Sequence, residues 1–369
     1  MRRHAKEPMV LMRVTPAAAA LVVLAILAMS GSPAGAASFY LTTDVPTDLG
    51  AAGTTFLPWQ LIRNDSGIYW SALLLPADTV FDALHRMDTG DWLVSVERPV
   101  ILGGTPLEPI DVARYDGAAC TMYFDGSAHG VPDSSNLDAV FLDGGDAGDL
   151  VVSFDVPTTI GPSTYEPADL VRFDGASFNL YFDASAAVPP IPPSANLTGA
   201  DERGSLTILT FDAPTTLGSQ TFQPGQLVSW DGRSFTTFYL DPGWPAGSAI
   251  DALAFLPHPG SVPPTIDVTH SPVRGKLRIS WSQSCSAGAE DYAIYEGVIG
   301  DWYSHVALDC SDDGADLRED ITPSSGNRYY LVVPLNANDE GSYGTASDGT
   351  SRPPGGSACV ASQALAACP

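Results

Sequence analysis

Basic residues and long apolar runs are both scarce in this chain of 369 residues. It has 17 lysines and arginines against 43 aspartates and glutamates, a net charge of -26 at pH 7. This excludes nucleic acid and anionic membrane surfaces as favourable partners, because both are negatively charged. After the N-terminal region, no apolar run approaches the roughly 20 residues that a membrane-spanning helix needs. We therefore expect no membrane insertion.

Signatures of catalysis are also missing. The sequence has no zinc-protease helix motif, no Gly-x-Ser-x-Gly nucleophile elbow, no phosphate loop and no dinucleotide fingerprint. The histidines beyond the N-terminal region stand far apart, so no two have the spacing of metal ligands on one element; they are His85, His129, His258, His270 and His305. The sequence therefore predicts a non-catalytic protein.

The first 37 residues have the pattern of a secretory signal peptide. Four basic residues come first, then an apolar run over 17–29, then the small residues Ala34, Gly35 and Ala36. This order predicts cleavage near Ala36 or Ala37 and export of the rest. Without the leader's four basic residues and one acidic residue, the chain has 13 basic and 42 acidic residues. We expect a soluble, secreted or cell-surface monomer.

A unit of 51 to 58 residues recurs four times over 39–256. Turn-forming and acidic residues hold the same place in every copy, with successive spacings of 53, 58 and 57 residues; the clearest series is Pro46, Pro99, Pro157 and Pro214. Turn residues at fixed offsets indicate where strands end. A period of this length without helical periodicity is typical of one small sheet per repeat.

Each unit predicts four short strands, which in the best-preserved copy are 137–142, 150–154, 169–173 and 178–182. The region opens with what would be a second strand, 39–43, and it finishes with a first strand that has no successors, 250–256. Those two incomplete pieces make up one unit. The sequence therefore predicts an all-β protein with a four-bladed β-propeller over 38–258, closed by its terminal strands. An open stack of four sheets is the alternative.

The first strand of each unit carries an acidic or hydroxyl residue beside a small one. Around a propeller axis, Asp82, Asp138 and Asp251, with Thr198, would form a ring at one mouth of the channel. Three facing carboxylates need a cation, bound water or raised pKa values. We therefore predict these three aspartates as metal ligands, with Ca²⁺ as the ion, and predict no other cofactor. The alternative is that they cap backbone amides.

Two acidic, glycine-containing loops, 143–149 and 312–316, each carry three carboxylates. Flexible oxygen-only loops of this kind suit Ca²⁺, although neither has the spacing of an EF-hand loop. The alternative is that they are solvated turns.

Five cysteines in an exported chain indicate disulfides. Nearest-neighbour pairing predicts Cys285–Cys310 and Cys359–Cys368, although the sequence alone allows the two other pairings. Cys120 is left over, and it aligns with large aromatic residues in the other repeats. We therefore predict that Cys120 is a buried, unreactive free thiol.

The repeat pattern ends at a proline-rich segment, and 259–264 is predicted to be a linker. An alternating strand ending in Trp281 follows, then a strand with Tyr292 and Tyr295, and later the pair Tyr329 and Tyr330 before an alternating Val/Leu run. Together these features resemble a fibronectin type III domain.

The resemblance covers 265–349 and implies a β-sandwich with Trp281 in its core. Because the family supplies spacer and binding modules, it implies adhesion, display or positioning. The sequence departs from the family in its cysteines, since fibronectin type III domains usually lack disulfides. We predict that 350–369 forms a Gly/Pro/Ser tail with a disulfide loop.

These observations predict a secreted, non-catalytic binding or adhesion protein. The loop 157–167 and its counterparts would contact an extracellular glycan or protein, and the sandwich would act as a spacer. One alternative is a secreted glycan hydrolase, which would place two carboxylates about 5–10 Å apart in a deep pocket with unlike environments. A binding protein would instead show a shallow face with exposed aromatics. A structural cell-envelope component is the other alternative.

Overall fold

The computed structural model describes residues 37–49, 54–64, 67–71, 79–241, 243–312, 317–347 and 349–364. Nearly all of the predicted leader lies outside these ranges, as do Cys368 and most of the acidic loop 312–316. Within them the elements are β-strands and one turn of 3₁₀ helix, Ser127–His129. The all-β class predicted from the sequence is confirmed. No helix in the described part of the chain is long and apolar enough to cross a membrane.

The four repeats contain the first 23 strands. The first repeat has β1 (Phe39–Thr43), β2 (Thr47–Leu49), β3 (Thr54–Phe56), β4 (Gln60–Arg63) and β5 (Gly67–Ser71). The second has β6 (Ala83–Arg86), β7 (Trp92–Ser95), β8 (Val100–Leu102), β9 (Thr105–Leu107), β10 (Val112–Tyr115) and β11 (Cys120–Phe124).

The third repeat has β12 (Leu137–Asp143), β13 (Asp149–Phe154), β14 (Thr158–Ile160), β15 (Ser163–Tyr165), β16 (Leu170–Phe173) and β17 (Phe178–Phe182). The fourth has β18 (Leu197–Arg203), β19 (Leu206–Phe211), β20 (Thr215–Leu217), β21 (Gln220–Phe222), β22 (Gln226–Trp230) and β23 (Phe235–Leu240), followed by β24 (Ile250–Phe255).

Four antiparallel sheets of four strands result, in the orders β24-β1-β4-β5, β6-β7-β10-β11, β12-β13-β16-β17 and β18-β19-β22-β23. The first sheet takes its first strand from the end of the repeat region. Strand β1 pairs with β24 in a register that runs from Phe39 opposite Phe255 to Thr43 opposite Ile250. The strand pairing predicted from the two incomplete units is confirmed.

The first strands of the four sheets contact one another in a cycle, β6 with β12, β12 with β18, β18 with β24 and β24 with β6. Small residues make this approach feasible, and Ala83, Ala139 and Ala252 are all buried. At Gly199 a Cβ atom would lie 3.1 Å from Leu253 Cβ and 3.2 Å from its backbone nitrogen. The repeated small residue therefore sets how closely β18 approaches β24.

Apolar side chains fill the spaces between neighbouring sheets. One cluster, with Phe211 and Phe222, lies between the third and fourth sheets. Equivalent clusters lie between the second and third sheets and between the first and second. Burying each such side chain contributes roughly 1.5–3 kcal/mol to the free energy of folding.

Asp-Gly turns join the third and fourth strands of a sheet. In the third repeat, Asp174 Oδ1 accepts hydrogen bonds from the backbone nitrogens of Ala176 and Ser177 at 2.9 and 2.8 Å. Gly175 has a φ of 88°, which is the left-handed region that favours glycine. Local turn chemistry thus fixes the hairpin.

The remaining strands form two sheets of three strands. They are β25 (Asp267–His270), β26 (Leu277–Ser280), β27 (Asp291–Val298), β28 (Asp301–Asp309), β29 (Arg318–Ile321) and β30 (Arg328–Leu335). The sheet orders are β25-β26-β29 and β28-β27-β30. The predicted core tryptophan, Trp281, is buried and packs against Tyr292 at 5.5 Å between ring centroids. We call residues 265–349 the C-terminal module.

The predicted linker is packed against its neighbours. Pro259 and Gly260 are buried, and Asn336 Nδ2 donates to the Pro257 carbonyl at 2.9 Å. Asn338 exchanges two hydrogen bonds with the backbone of Ser38, at 2.6 and 2.8 Å. The C-terminal module therefore docks directly on the first repeat sheet.

Candidate functional site

The three predicted aspartates lie where the first strands of their sheets begin. Asp82 and Asp138 are buried, and Asp251 is half-buried. The charge of Asp82 acts on both Asp138 and Asp251, and that of Asp251 acts on Asp138. The repeat therefore brings the three carboxyl groups together, as the sequence predicted.

Two asparagines that the sequence analysis did not single out hold these carboxyls. Asn136 Nδ2 donates to Asp82 Oδ2 at 2.5 Å and to Asp138 Oδ1 at 3.3 Å. Asn196 Nδ2 donates to Asp138 Oδ2 at 2.6 Å. Both asparagines stand two residues before the predicted ring position in their repeats, so the repeat alignment contained this signal.

Burial is the main cause of the raised pKa values in this cluster. Desolvation, with smaller contributions from neighbouring carboxylates, raises the pKa of Asp82 to about 7 and that of Asp251 to about 8. Burial also raises the pKa of Asp138 well above its ordinary value. A proton on a buried carboxyl removes a charge that would otherwise need a partner.

The predicted Ca²⁺ site is not supported. Among the residues that the structure describes, no group of three or more His, Cys, Asp or Glu side chains is arranged to hold a metal ion. Of the three ways to accommodate facing carboxyls, Asp82, Asp138 and Asp251 use raised pKa values, and Asp82 and Asp138 also accept amide hydrogen bonds. Thr198, the fourth member, donates to the Ile250 carbonyl at 2.6 Å.

The carboxylates of the acidic loop 143–149 bond to other residues of the chain. Asp143 accepts a hydrogen bond from Arg172 at 2.9 Å. Asp146 accepts from the backbone nitrogens of Asp88 and Thr89 at 2.7 and 2.9 Å. Asp149 Oδ2 also lies 3.8 Å from Arg172 Nε, so Asp143 and Asp149 share that guanidinium, whereas Asp146 bonds a different chain segment.

The predicted disulfide pairing is wrong. Cys310 pairs with Cys359, with 5.5 Å between their Cα atoms. This excludes both Cys285–Cys310 and Cys359–Cys368. Cys285 is also disulfide-bonded. Residues distant in sequence meet because the tail folds back over the sheet β28-β27-β30.

Cys120 is a free cysteine, but it is half-buried rather than buried. It packs against the apolar cluster between the first and second sheets. Burial, followed by the charge of Asp116, raises the pKa of its thiol. A raised pKa lowers the thiolate fraction and therefore the reactivity.

An open cavity of about 550 Å³ lies in the C-terminal module. Its walls combine apolar side chains with amide, hydroxyl, guanidinium and aromatic groups, and no Asp or Glu is among them; they are Val268, Leu277, Ile299, Pro323, Ser324, Gly326, Asn327, Arg328, Tyr329 and Tyr330. Strands β25, β26 and β30 and the turns after β27 and β29 supply these residues.

A buried carboxylate fixes the polar wall of the cavity. Glu296 Oε2 accepts hydrogen bonds from the Ser324 backbone nitrogen at 3.0 Å and from the Tyr330 hydroxyl at 3.2 Å. Arg328 lies 3.8 Å from Glu296 Oε1. Burial alone would raise the pKa of Glu296, but these partners lower it. Burial and the same carboxylate raise the pKa of Tyr330 to about 12.

An exposed aromatic ring lies beside the cavity. Trp302 is 56% exposed and Tyr303 is 57% exposed, both on β28. The Trp302 ring lies 5.6 Å from that of Tyr329, which lines the cavity. In a strand, neighbouring residues face opposite sides. One member of each adjacent aromatic pair must therefore face away from the core. The sequence contained this signal in Trp302-Tyr303 and Tyr329-Tyr330.

The loops that were predicted to contact a ligand are small hairpins. In 157–167, β14 and β15 pair with each other, and their residues Ile160 and Tyr165 are buried. The Tyr165 hydroxyl donates to the Phe178 carbonyl at 3.0 Å. Two of the large side chains in this loop therefore cover the apolar cluster beneath it.

No protein-family model and no curated protein matches the chain. Among solved structures it is similar to the extracellular domain assigned to a hybrid two-component system of B. thetaiotaomicron, at 10% identity and a TM-score of 0.24, covering 83% of this chain and 42% of that one. A second, assigned to a one-component system of the same organism, shows 11% identity, a TM-score of 0.27 and coverage of 88% and 56%. The chain thus spans only part of each structure, and similarity this low supports no inference about function.

Proposed function

We propose that the protein is an exported, non-catalytic binding protein that binds an oligosaccharide in the cavity of its C-terminal module. One observation carries the proposal: an open cavity has aromatic, amide and hydroxyl groups in its walls, and the exposed Trp302 ring lies 5.6 Å from that of Tyr329 in its wall. Its volume of about 550 Å³ falls within the range of small-molecule sites, roughly 300–1,000 Å³.

The chemistry of the walls suits a sugar. A pyranose ring presents C–H groups that pack on aromatic faces and hydroxyls that exchange hydrogen bonds with polar side chains. Asn327 and Ser324 provide donors and acceptors, while Glu296 holds the Tyr330 hydroxyl in place. Polar groups fixed before binding reduce the entropic cost of binding.

The four repeat sheets serve as the scaffold in this proposal. We regard them as a four-bladed propeller, because their first strands contact one another in a cycle and β24 completes the first sheet. We regard the C-terminal module as a fibronectin type III-like sandwich of two three-stranded sheets. Export is supported by the leader pattern and by the Cys310–Cys359 disulfide, since disulfides persist in oxidising compartments.

The hydrolase alternative is less well supported. Acid–base pairs usually need environments that push two carboxyl pKa values apart. Here the pKa values of Asp82, Asp138 and Asp251 are all raised. The cavity itself has no carboxyl group among its lining residues.

An oligosaccharide array tests the proposal, with fluorescently labelled full-length protein as the probe. We expect Trp302→Ala and Asn327→Ala to weaken binding at least about tenfold, which corresponds to about 1.4 kcal/mol. Tyr123→Ala, which removes a 37% exposed aromatic from β11, is the matched control and should bind like the wild type. Absence of binding across the array, or equal loss in the control, would refute the proposal. Release of shortened sugars would favour the hydrolase.

A further inference from the structure

The arginine in the cavity wall differs from many others of the chain in what it bonds. Several arginines donate hydrogen bonds to a carboxylate; they include Arg63, Arg114, Arg172 and Arg278. Arg328 donates instead to a backbone carbonyl, that of Ser325, through Nε at 3.0 Å and Nη2 at 2.7 Å. The chain has 43 acidic and 17 basic residues. A guanidinium that hydrogen-bonds none of these carboxylates in the described ranges is available for a carboxylate from outside.

The hydrogen bonds of Arg328 use only one edge of its guanidinium. A guanidinium has two edges at which two N–H groups point the same way. In Arg328 the Ser325 carbonyl holds the edge formed by Nε and Nη2. Among the residues that the structure describes, the edge formed by Nη1 and Nη2 has no hydrogen-bond partner. The side chain is 24% exposed, so the guanidinium is fixed along one edge and open along the other.

The buried carboxylate of Glu296 leaves this open edge free. Its Oε1 lies 3.8 Å from Nε of Arg328, which belongs to the held edge, and this distance is too long for a hydrogen bond. Burial raises the pKa of Glu296, whereas hydrogen bonds from Ser324 and Tyr330, followed by the charge of Arg328, lower it below its ordinary value. Glu296 is therefore ionised at neutral pH mainly through Ser324 and Tyr330, with Arg328 making the smallest of these contributions.

The rest of the cavity wall carries no competing negative charge. No Asp or Glu lines the cavity, although the chain as a whole has a net charge of -26. Charges elsewhere on the surface are screened over roughly 8 Å at physiological ionic strength. Large anionic surfaces are repelled by the whole chain, but a single anionic group in the cavity meets a guanidinium and no facing carboxylate.

We propose that the cavity binds an acidic oligosaccharide, and that the open edge of Arg328 receives the carboxylate of a uronic acid residue. A carboxylate has two oxygens that match two parallel N–H groups, so both hydrogen bonds form together. A sugar hydroxyl has one uncharged oxygen and forms weaker hydrogen bonds with the same edge. The inference rests on the proposed function, because it names the class of oligosaccharide for the same cavity.

Uronic acid oligomers and their methyl esters test the inference. An array carries oligomers of galacturonic, glucuronic and mannuronic acid, each beside its own methyl ester, together with neutral and sulfated oligosaccharides. The ester keeps the sugar ring and removes the charge. We expect labelled full-length protein to bind at least one acid about tenfold or more tightly than its ester, because hydrogen bonds to charged groups are the stronger ones. An ester bound as tightly as its acid in every pair would overturn the inference.

Substitutions of Arg328 assign the preference to this side chain. Arg328→Gln removes the charge and the open edge, so it should bind acid and ester alike. Arg328→Lys keeps the charge without the paired N–H groups and should bind the acid more weakly than the wild type does. Arg98→Gln, which removes an 80% exposed arginine from the repeat region, is the control for net charge and should keep the preference. An equal loss in Arg98→Gln, or a full preference in either Arg328 variant, would contradict the assignment.

The remaining outcomes separate this inference from the proposed function. If circular dichroism shows that Arg328→Gln does not fold, the comparison of acid with ester in the wild type decides the question. Tighter binding of sulfated oligosaccharides than of uronic acids would overturn the assignment to a carboxylate. Binding of neutral oligosaccharides with no preference for acids would overturn the inference and support the proposed function. Absence of binding to any oligosaccharide would refute both.

Discussion

The repeat sheets and the C-terminal module bury carboxyl groups in opposite ways. Asp138 receives two asparagine N–H groups and faces Asp82 and Asp251, and its pKa is raised. Glu340 receives two hydroxyls and two backbone amides, and no carboxylate is among its hydrogen-bonding partners. Both side chains are buried, so the two sites differ in the number of donors and in the sign of their neighbours, not in burial.

The two architectures explain this difference. A repeat places the same residue type at equivalent positions in each sheet, so like groups converge. Protonation then removes charges that would repel one another. The C-terminal module has no internal repeat, and its tail can bring backbone N–H groups to a single carboxylate. A repeated sequence therefore brings like groups together, whereas an irregular tail can bring hydrogen-bond donors to a single carboxylate.

The largest expected effect is that of Glu340→Gln. The new amide NH₂ group would face hydroxyl and N–H donors and leave some of them buried without an acceptor. We expect a loss of about 3–5 kcal/mol in the free energy of unfolding, since each donor left buried without an acceptor costs about 1–3 kcal/mol. Asp138→Asn should cost about 1–3 kcal/mol, because its amide leaves only one of the two donors, from Asn136 or Asn196, without an acceptor. Urea unfolding of both variants measures the difference, and equal losses would contradict the comparison.

The stability of the protein should depend on pH because of the buried carboxyl groups in the repeat sheets. Burial raises the pKa of Asp82 and Asp201 to about 7 and of Asp251 to about 8 in the folded state. Between the unfolded and folded values the folded protein binds more protons, so stability falls as the pH rises. Burial lowers the pKa of His85 to about 4, which has the opposite effect up to about pH 6.5. Three raised carboxyls against one lowered histidine make the net loss steepest between about pH 5 and pH 7; it reaches roughly 2–3 kcal/mol between about pH 6.5 and pH 8 and fades above that.

Asp251→Asn should flatten this decline, because it removes the group with the pKa of about 8. Thermal unfolding of the wild type and of Asp251→Asn across this range measures the difference. A wild-type stability that rises between about pH 6.5 and pH 8 would show that the carboxyls are ionised in the folded state.

Much of the repeat region could be predicted from the sequence because its signals are local. Alternating apolar residues and Asp-Gly turns define the strands around Asp174, and counting strands at the two ends predicted the pairing of β1 with β24. Asp82, Asp138 and Asp251 occupy equivalent positions in their repeats, which also predicted that their carboxyl groups would lie close together. Their protonation was not predicted, because it depends on the amide donors and on the depth of burial.

The C-terminal site was largely missed because its contacts connect distant residues. Cys359 pairs with Cys310 across a sequence separation of 49, where nearest-neighbour reasoning chose other partners. The aromatic surface at the cavity depends on which members of the pairs Trp302-Tyr303 and Tyr329-Tyr330 the sheet β28-β27-β30 leaves exposed. Neither His305 nor Glu340 carries a recognisable motif in the sequence, and each contacts the tail only because the tail folds back.

The smallest expected effect is at Cys120, the free thiol of the repeat sheets. Its side chain is half-buried and its pKa is raised, so its thiolate fraction at neutral pH is low. We expect native protein to react with iodoacetamide at least about tenfold more slowly than urea-unfolded protein, because alkylation requires the thiolate. Cys120→Ala should cost less than about 1 kcal/mol, since a half-buried side chain leaves only a small cavity. By contrast, Cys359→Ser should cost about 2–4 kcal/mol, the usual worth of a disulfide. Labelling of native Cys120 as fast as in the unfolded chain would show that the thiol is solvated and not packed against its apolar cluster.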